Sequence, residues 1–126
     1  MGTRWMVGLT VLGIMTFPFL VQAQTPAELA QTAKTVASWQ NPDGGFGGKP
    51  GQPSSLGSTS SAIRILKYTG GAVPDVLGCI RYVQSCFDAK SGGFAPTPGG
   101  TPDVRTTAVG LMAVSGGFAA YFWGSW

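Results

Sequence analysis

Trp39-Gln40-Asn41-Pro42-Asp43-Gly44-Gly45-Phe46-Gly47-Gly48-Lys49-Pro50-Gly51 has a second version in the same chain. It returns as Cys86-Phe87-Asp88-Ala89-Lys90-Ser91-Gly92-Gly93-Phe94-Ala95-Pro96-Thr97-Pro98-Gly99. Gly45 and Gly93, Phe46 and Phe94, Pro50 and Pro98, and Gly51 and Gly99 are each 48 positions apart, as are Thr59 and Thr107 downstream. Upstream of the loop the spacing is 47, so the second copy holds one extra loop residue. Self-similarity at such a period marks one supersecondary unit that buries its apolar side against neighbouring copies.

The loop itself, from Asn41 to about Pro53, is too rich in glycine for helix or strand. Phe46 is its one large apolar group and is expected to plug the loop onto the core. Asp43, after Pro42, is placed to bond nearby backbone amides and shape the turn. Glycine-rich loops also cradle phosphates, but this spacing fits neither common nucleotide-binding pattern, which leaves an architectural loop as the expectation.

Helix signals flank each loop. Thr25-Pro26-Ala27-Glu28 combines a capping threonine, a proline suited to the first helical position and a glutamate able to complete a capping box. Leu29, Ala33, Val36, Ala37 and Gln40 then follow at helical spacing, which predicts a first helix ending near Gln40. A second helix is predicted from about Ser55 to Thr69, with Leu56, Thr59, Ala62, Ile63, Leu66 and Tyr68 on its apolar side and Gly70-Gly71 as its stop. Arg64 and Lys67 are expected in solvent. A third helix starts near Pro74-Asp75 and runs to about Phe87, with Val76, Ile80, Val83 and Phe87 as the buried stripe and Leu77 and Cys79 beside it. A fourth starts at Asp103 and carries Val104, Ala108, Leu111 and Met112. Each unit therefore reads helix, glycine loop, helix, over about 27–70 and 74–114. Hairpins of this kind stack into solenoids or closed toroids.

Composition narrows the chemistry. The chain has 126 residues, of which 44% are hydrophobic and 10% charged, with a net charge of +3. With no Lys/Arg stripe and no interleaving of basic and aromatic residues, it lacks the footprint of a nucleic-acid binder. It contains no histidine, which removes the usual general base and the commonest metal ligand. Cys79 and Cys86 fall seven positions apart on one predicted helix, about 10.5 Å along its axis. A disulfide needs Cα atoms within about 7 Å, so the pair is expected to be two small buried residues. Bridges to other chains are the alternative in an oxidising compartment.

The ends differ from the repeats. Residues 1–23 resemble an export signal: Arg4 supplies the positive start, Trp5 to Leu20 is uncharged and apolar, and Val21-Gln22-Ala23 has small residues where a signal peptidase cuts. Cleavage before Gln24 predicts a secreted or periplasmic protein. An uncleaved anchor is the alternative, although the run is shorter than the roughly 20 residues of a span and Pro18 interrupts it. Residues 115–126 form an aromatic, glycine-rich tail matching no part of the repeat. No charge follows Arg105, so a membrane helix from Thr107 and an interfacial aromatic tail are both readings of this end. Stacked repeats generally need three or more units. Two hairpins therefore predict either self-association or further repeats on a longer chain.

The two loops and their flanks resemble the repeats of protein prenyltransferase β-subunits and squalene–hopene cyclases. The resemblance is carried by Trp39, Gln40, Asp43, Gly44, Gly45, Phe46, Gly47, Gly48, Lys49, Pro50 and Gly51 with Thr59 and Ala62. The second copy adds Tyr82, Val83, Cys86, Asp88, Gly92, Gly93, Phe94, Pro98, Gly99, Asp103 and Thr107. It spans about Ala27 to Val114. It implies an all-α fold of the α-α toroid type, here two repeats of one, with an inner and an outer ring of helices around an apolar cavity.

The resemblance also implies chemistry that this chain departs from. Such prenyltransferases hold zinc with an Asp, a Cys two positions later and a more distant His. Asp103 matches the Asp, but Arg105 stands where the Cys would be and there is no His, so no metal or other cofactor is expected. Asp103 reads better as a helix N-cap. Lys49 matches a basic residue that contacts the isoprenoid diphosphate in some repeats. The acidic motif by which such cyclases protonate their substrate is missing. Gln40 and Asp43 match residues that tie helices together. The expectation is an exported, non-catalytic binding or structural segment of toroid with an apolar or isoprenoid ligand. The alternative is an enzyme of the prenyltransferase or terpene-cyclase type whose catalytic residues lie in other repeats or a partner.

Overall fold

A computed structural model describes residues 23–116 and 118. The segment read as an export signal and nearly all of the aromatic tail lie outside these residues. The elements run α1 (Pro26–Ala37), α2 (Leu56–Thr69), α3 (Val76–Ser85), β1 (Phe87–Asp88), β2 (Gly93–Phe94) and α4 (Val104–Ser115). The fold is all-α in class, with two helix–loop–helix units in the order that the repeat predicts. α2 packs on α4, α1 on α2, and α3 on α4.

Each helix begins at a side-chain cap that supplies an acceptor for the free amides of a first turn. The Thr25 hydroxyl accepts from the Glu28 amide, while Glu28 Oε2 accepts from the Thr25 amide at 2.6 Å, completing the capping box. Ser55 Oγ accepts from the Ser58 amide at 3.1 Å, Asp75 Oδ1 from Gly78 at 2.9 Å, and Asp103 Oδ1 from Thr106 at 2.7 Å. These amide donors hold the Glu28 and Asp103 carboxyls below the usual carboxylate range. Gly70, at φ +73°, ends α2 in the left-handed conformation that a side chain would strain.

The core is one cluster shared by the four helices and both loops. Phe46 and Phe94 are fully buried in it, beside Leu56, Leu66, Val83 and Thr59. Both loops are thus pinned inward, the first by Phe46 and the second by Phe94.

Several local expectations are corrected. α1 stops at Ala37, and Trp39 and Gln40 lie in the turn beyond it. The loops are not free of strand: Gln40 forms an antiparallel bridge with Phe46, and Phe87–Asp88 pairs with Gly93–Phe94. Both ladders sit at the same place in the repeat, because each glycine turn folds its phenylalanine back over the preceding helix end. On α2, Tyr68 is exposed and Ser60 is buried. On α3, the buried face is Cys79, Ile80, Tyr82 and Val83, while Val76 and Leu77 face solvent. On α4 the expected stripe is turned outward: Gly110, Ala113 and Val114 are buried, whereas Val104, Leu111 and Met112 are exposed.

Candidate functional site

The first glycine loop is organised by polar side chains that leave few backbone groups unmatched. Gln40 Nε2 donates to the carbonyls of Gly44 at 2.9 Å and Asp75 at 2.8 Å, and its Oε1 accepts from the Asp75 amide at 2.8 Å. One amide side chain thus joins the end of the first unit to the cap of α3. Asp43 Oδ1 accepts from the Gly45 amide at 2.9 Å and the Ser54 hydroxyl at 2.7 Å. Asn41 Nδ2 donates to the Gln52 carbonyl and to Ser54 Oγ, each at 2.9 Å. Gly44, at φ +87°, lies against the backbone of Gly78, where a Cβ would come within 2.1 Å. Only glycine allows that approach.

Both phenylalanine amides are held in the same way. Phe46 donates to Thr59 Oγ1 at 2.9 Å, and Phe94 to Thr107 Oγ1 at 3.0 Å. In the second loop Phe87 occupies the place of Gln40, and its ring meets that of Phe94 at 5.1 Å with a 57° tilt. Gly93 lies close to Pro102 and Thr107, and Gly92 turns at φ +73°. Trp39 is half-buried and packs against the core cluster. The motif residues therefore meet as the joints of the loops. Lys49 is exposed at the tip of the first loop, away from these joints.

The zinc chemistry implied by the resemblance is not matched by these residues. The Asp103 carboxylate is engaged as the α4 cap, with Arg105 two positions on. Both thiols are free and buried. Burial, with Asp75 nearby, pushes the Cys79 thiol up to about 12, and burial pushes Cys86 up to about 11. They are held protonated, which is the opposite of what a thiolate ligand requires. Among the described residues no three His, Cys, Asp or Glu side chains gather as a metal site. Burial also raises the Tyr82 hydroxyl, with Cys86 and Asp43 adding to it.

Two surfaces escaped sequence reasoning. One is a cleft of about 440 Å³ between α1, the first loop and α2, walled by Val36, Trp39, Ser61, Ala62 and Ile65. The other is a set of exposed side chains on α2 and α4. Tyr68 and Met112 are exposed, and the Arg64 guanidinium reaches to 3.8 Å from Met112 Sδ, linking α2 to α4. The repeat offset could have found this link, since Arg64 and Met112 are 48 positions apart. Among the described residues no helix is long and apolar enough to cross a membrane.

A family model described as the prenyltransferase alpha-alpha toroid domain matches residues 5–115. No curated protein matches the chain.

Proposed function

The chain belongs to the prenyltransferase alpha-alpha toroid domain family, and from that premise we infer an exported binding module, a segment of toroid that presents an apolar inner face to an isoprenoid or similarly apolar ligand. The observation that supports this reading lies on α2 and α4: Tyr68 and Met112 are exposed, and the Arg64 guanidinium of α2 reaches to 3.8 Å from Met112 Sδ. The sequence offers no histidine for acid–base work, and Asp103 and the two thiols are engaged or buried as described. Binding therefore fits these residues better than prenyl transfer does. Export rests on Arg4, the apolar run to Leu20 and the small residues Val21 and Ala23.

Calorimetric titration with farnesol and with farnesyl diphosphate tests this reading. Both are expected to bind with affinities within about threefold of each other, and Tyr68→Ser with Met112→Ser should weaken both at least tenfold. Tighter binding of the diphosphate alone, lost in Lys49→Gln, would move the site to the first loop. Absence of binding, or zinc-dependent transfer of the prenyl group to a cysteine peptide, would overturn it. Amino-terminal sequencing of the protein recovered outside the cytoplasm should begin at Gln24.

A further inference from the structure

α2 and α4, the second helix of each unit and here termed inner, are related by the 48-residue offset, so positions 56–67 on α2 have counterparts at 104–115 on α4. Leu56, Ser60 and Ile63 lie on the side of α2 that turns toward the second unit. They are 0%, 0% and 3% exposed. The Leu56 amide donates to the Pro96 carbonyl at 2.9 Å, and Ile63 lies against Gly116 at the end of α4. Their counterparts are Val104, Ala108 and Leu111. All three are apolar and exposed, Val104 at 89% and Leu111 at 50%. α4 thus carries the docking face of α2, with the same register and character, and nothing among the described residues covers it.

The complementary seat is present as well. Within the chain, α2 packs on α3 and α4; its start lies beside Pro96, Thr106 and Val109, and its Leu56 and Ile63 share one core cluster with Val83, Cys86 and Ala113. Val83, Cys86 and Ala113 are fully buried there. The first-unit counterparts of these residues are Val36, Trp39, Gly48, Ser58, Ser61 and Ile65. Those six residues line the 440 Å³ cleft. The open cleft is therefore the first unit's copy of the groove that α2 already fills in the second.

We propose that copies of this chain associate head to tail, with α4 of one copy seated in the α1–α2 cleft of the next. The internal α2–α4 contact is the template. It places Val104, Ala108 and Leu111 of one copy over Ser58, Ser61 and Ile65 of its neighbour. It also sets the Val104 amide opposite the Gly48 carbonyl, as the Leu56 amide meets Pro96 within the chain. The outer layer does not renew its part of the template. The counterparts of Gln40 and Gly78 are Phe87 and Gln31, so the glutamine clamp and the glycine–glycine approach are not repeated between copies. The association is carried by the inner helices and the first loop. Such a head-to-tail contact is heterologous, and it forms a ring where the rotation closes and a filament where it does not. The proposal stands on the repeat geometry and does not depend on the ligand reading.

Light scattering on the protein purified from cells expressing the whole chain tests this, across a range of concentrations. The expected result is a multiple of the single-chain mass that falls on dilution. Val104→Asp and Leu111→Asp alter exposed positions, so each should keep the helical circular dichroism and revert to single-chain mass. Gly48→Cys and Val104→Cys, prepared separately and then mixed under oxidation, should form a mixed disulfide faster than either variant alone. Single-chain mass at every concentration overturns the proposal, as does an assembly that survives both aspartates. Val104→Cys linking to itself as fast as the mixture would show face-to-face pairing, and that also overturns it.

Discussion

Replacing Thr59 with valine removes one hydroxyl and preserves the shape of the side chain. Thr59 is fully buried, and its Oγ1 accepts the Phe46 amide at 2.9 Å in a buried setting. The valine leaves that amide unpaired inside the core, where an unmatched donor costs about 1–3 kcal/mol. Thr107 does the same work for Phe94 at 3.0 Å, but it is half-buried and the bond is partly open to water. Water can replace part of what valine removes there, so the second substitution should cost about 1 kcal/mol or less. One kcal/mol corresponds to a melting-temperature change of about 4–8 °C in a domain of this size. At the middle of that range, about 2 kcal/mol, Thr59→Val should lower Tm by about 8–16 °C and Thr107→Val by no more than about 8 °C. Thr59→Ser is the control: it keeps the bond and loses one buried methyl, worth about 0.8 kcal/mol. Thermal melts followed by circular dichroism, checked against urea midpoints, give the comparison. Equal losses at Thr59 and Thr107, or a serine as costly as the valine, would refute the reasoning.

Gly110→Ala should destabilise by about 1–3 kcal/mol despite its helical position, because the new Cβ would lie 2.3 Å from the buried Phe94 ring. Gly57→Ala, also helical but in α2's first turn with nothing within 4 Å, should be neutral or gain up to about 1 kcal/mol; urea midpoints of the same sign would contradict the packing account. Gln40→Ala removes three hydrogen bonds, two of which join the first loop to the cap of α3, and should lower stability by about 2 kcal/mol, which a urea midpoint within error of the parent protein would disprove. The raised Cys79 and Cys86 thiols make stability depend on alkaline pH. An unfolded thiol ionises near 9.0 while the folded ones wait until about 12 and 11, so stability is complete below pH 9 and is lost as pH rises toward those folded values. Cys79→Ala should flatten that fall in Tm between pH 8.5 and 10.5, and native alkylation by iodoacetamide at pH 8 should be slow at both positions.

The parts of the fold legible in the sequence were those fixed by local chemistry. Thr25, Ser55 and Asp103 cap helices because their side-chain oxygens reach amides three residues on, and Gly70 ends one because it accepts a positive φ. Phe46 was readable as a plug because no other large apolar side chain lies near it. The illegible parts depend on partners. Hydropathy assigns Val104, Leu111 and Met112 to a core, yet α4 buries Gly110, Ala113 and Val114. The reason is steric: Phe94 lies so near α4 that only a residue without a side chain fits at Gly110. A smooth face carries little hydropathy signal, so the eye falls on the wrong stripe. Tyr68 misleads likewise, since it follows the buried Leu66 by only two residues, which places it on the opposite side of α2. The Gln40 contacts with Asp75 span 35 positions, and no local pattern predicts such a reach.

The two units meet one requirement by different means. Each loop must fold back so that its phenylalanine enters the core and its amide meets a threonine. In the first unit Gln40 reaches forward to the cap of α3 and closes the loop with polar bonds. The same position in the second unit is Phe87, which turns onto the Phe94 ring, while the Ala95 amide bonds the Cys86 carbonyl at 2.8 Å. A glutamine serves in the first unit, where the cap of α3 offers a backbone donor and acceptor; in the second unit an aromatic contact within the unit does the holding. The outer layer of the second unit is thus satisfied internally. Its inner layer is not, since Val104 and Leu111 keep the character of the buried Leu56 and Ile63 while standing in solvent. That contrast within one helical hairpin puts the demand for a neighbour on α4 and not on α3.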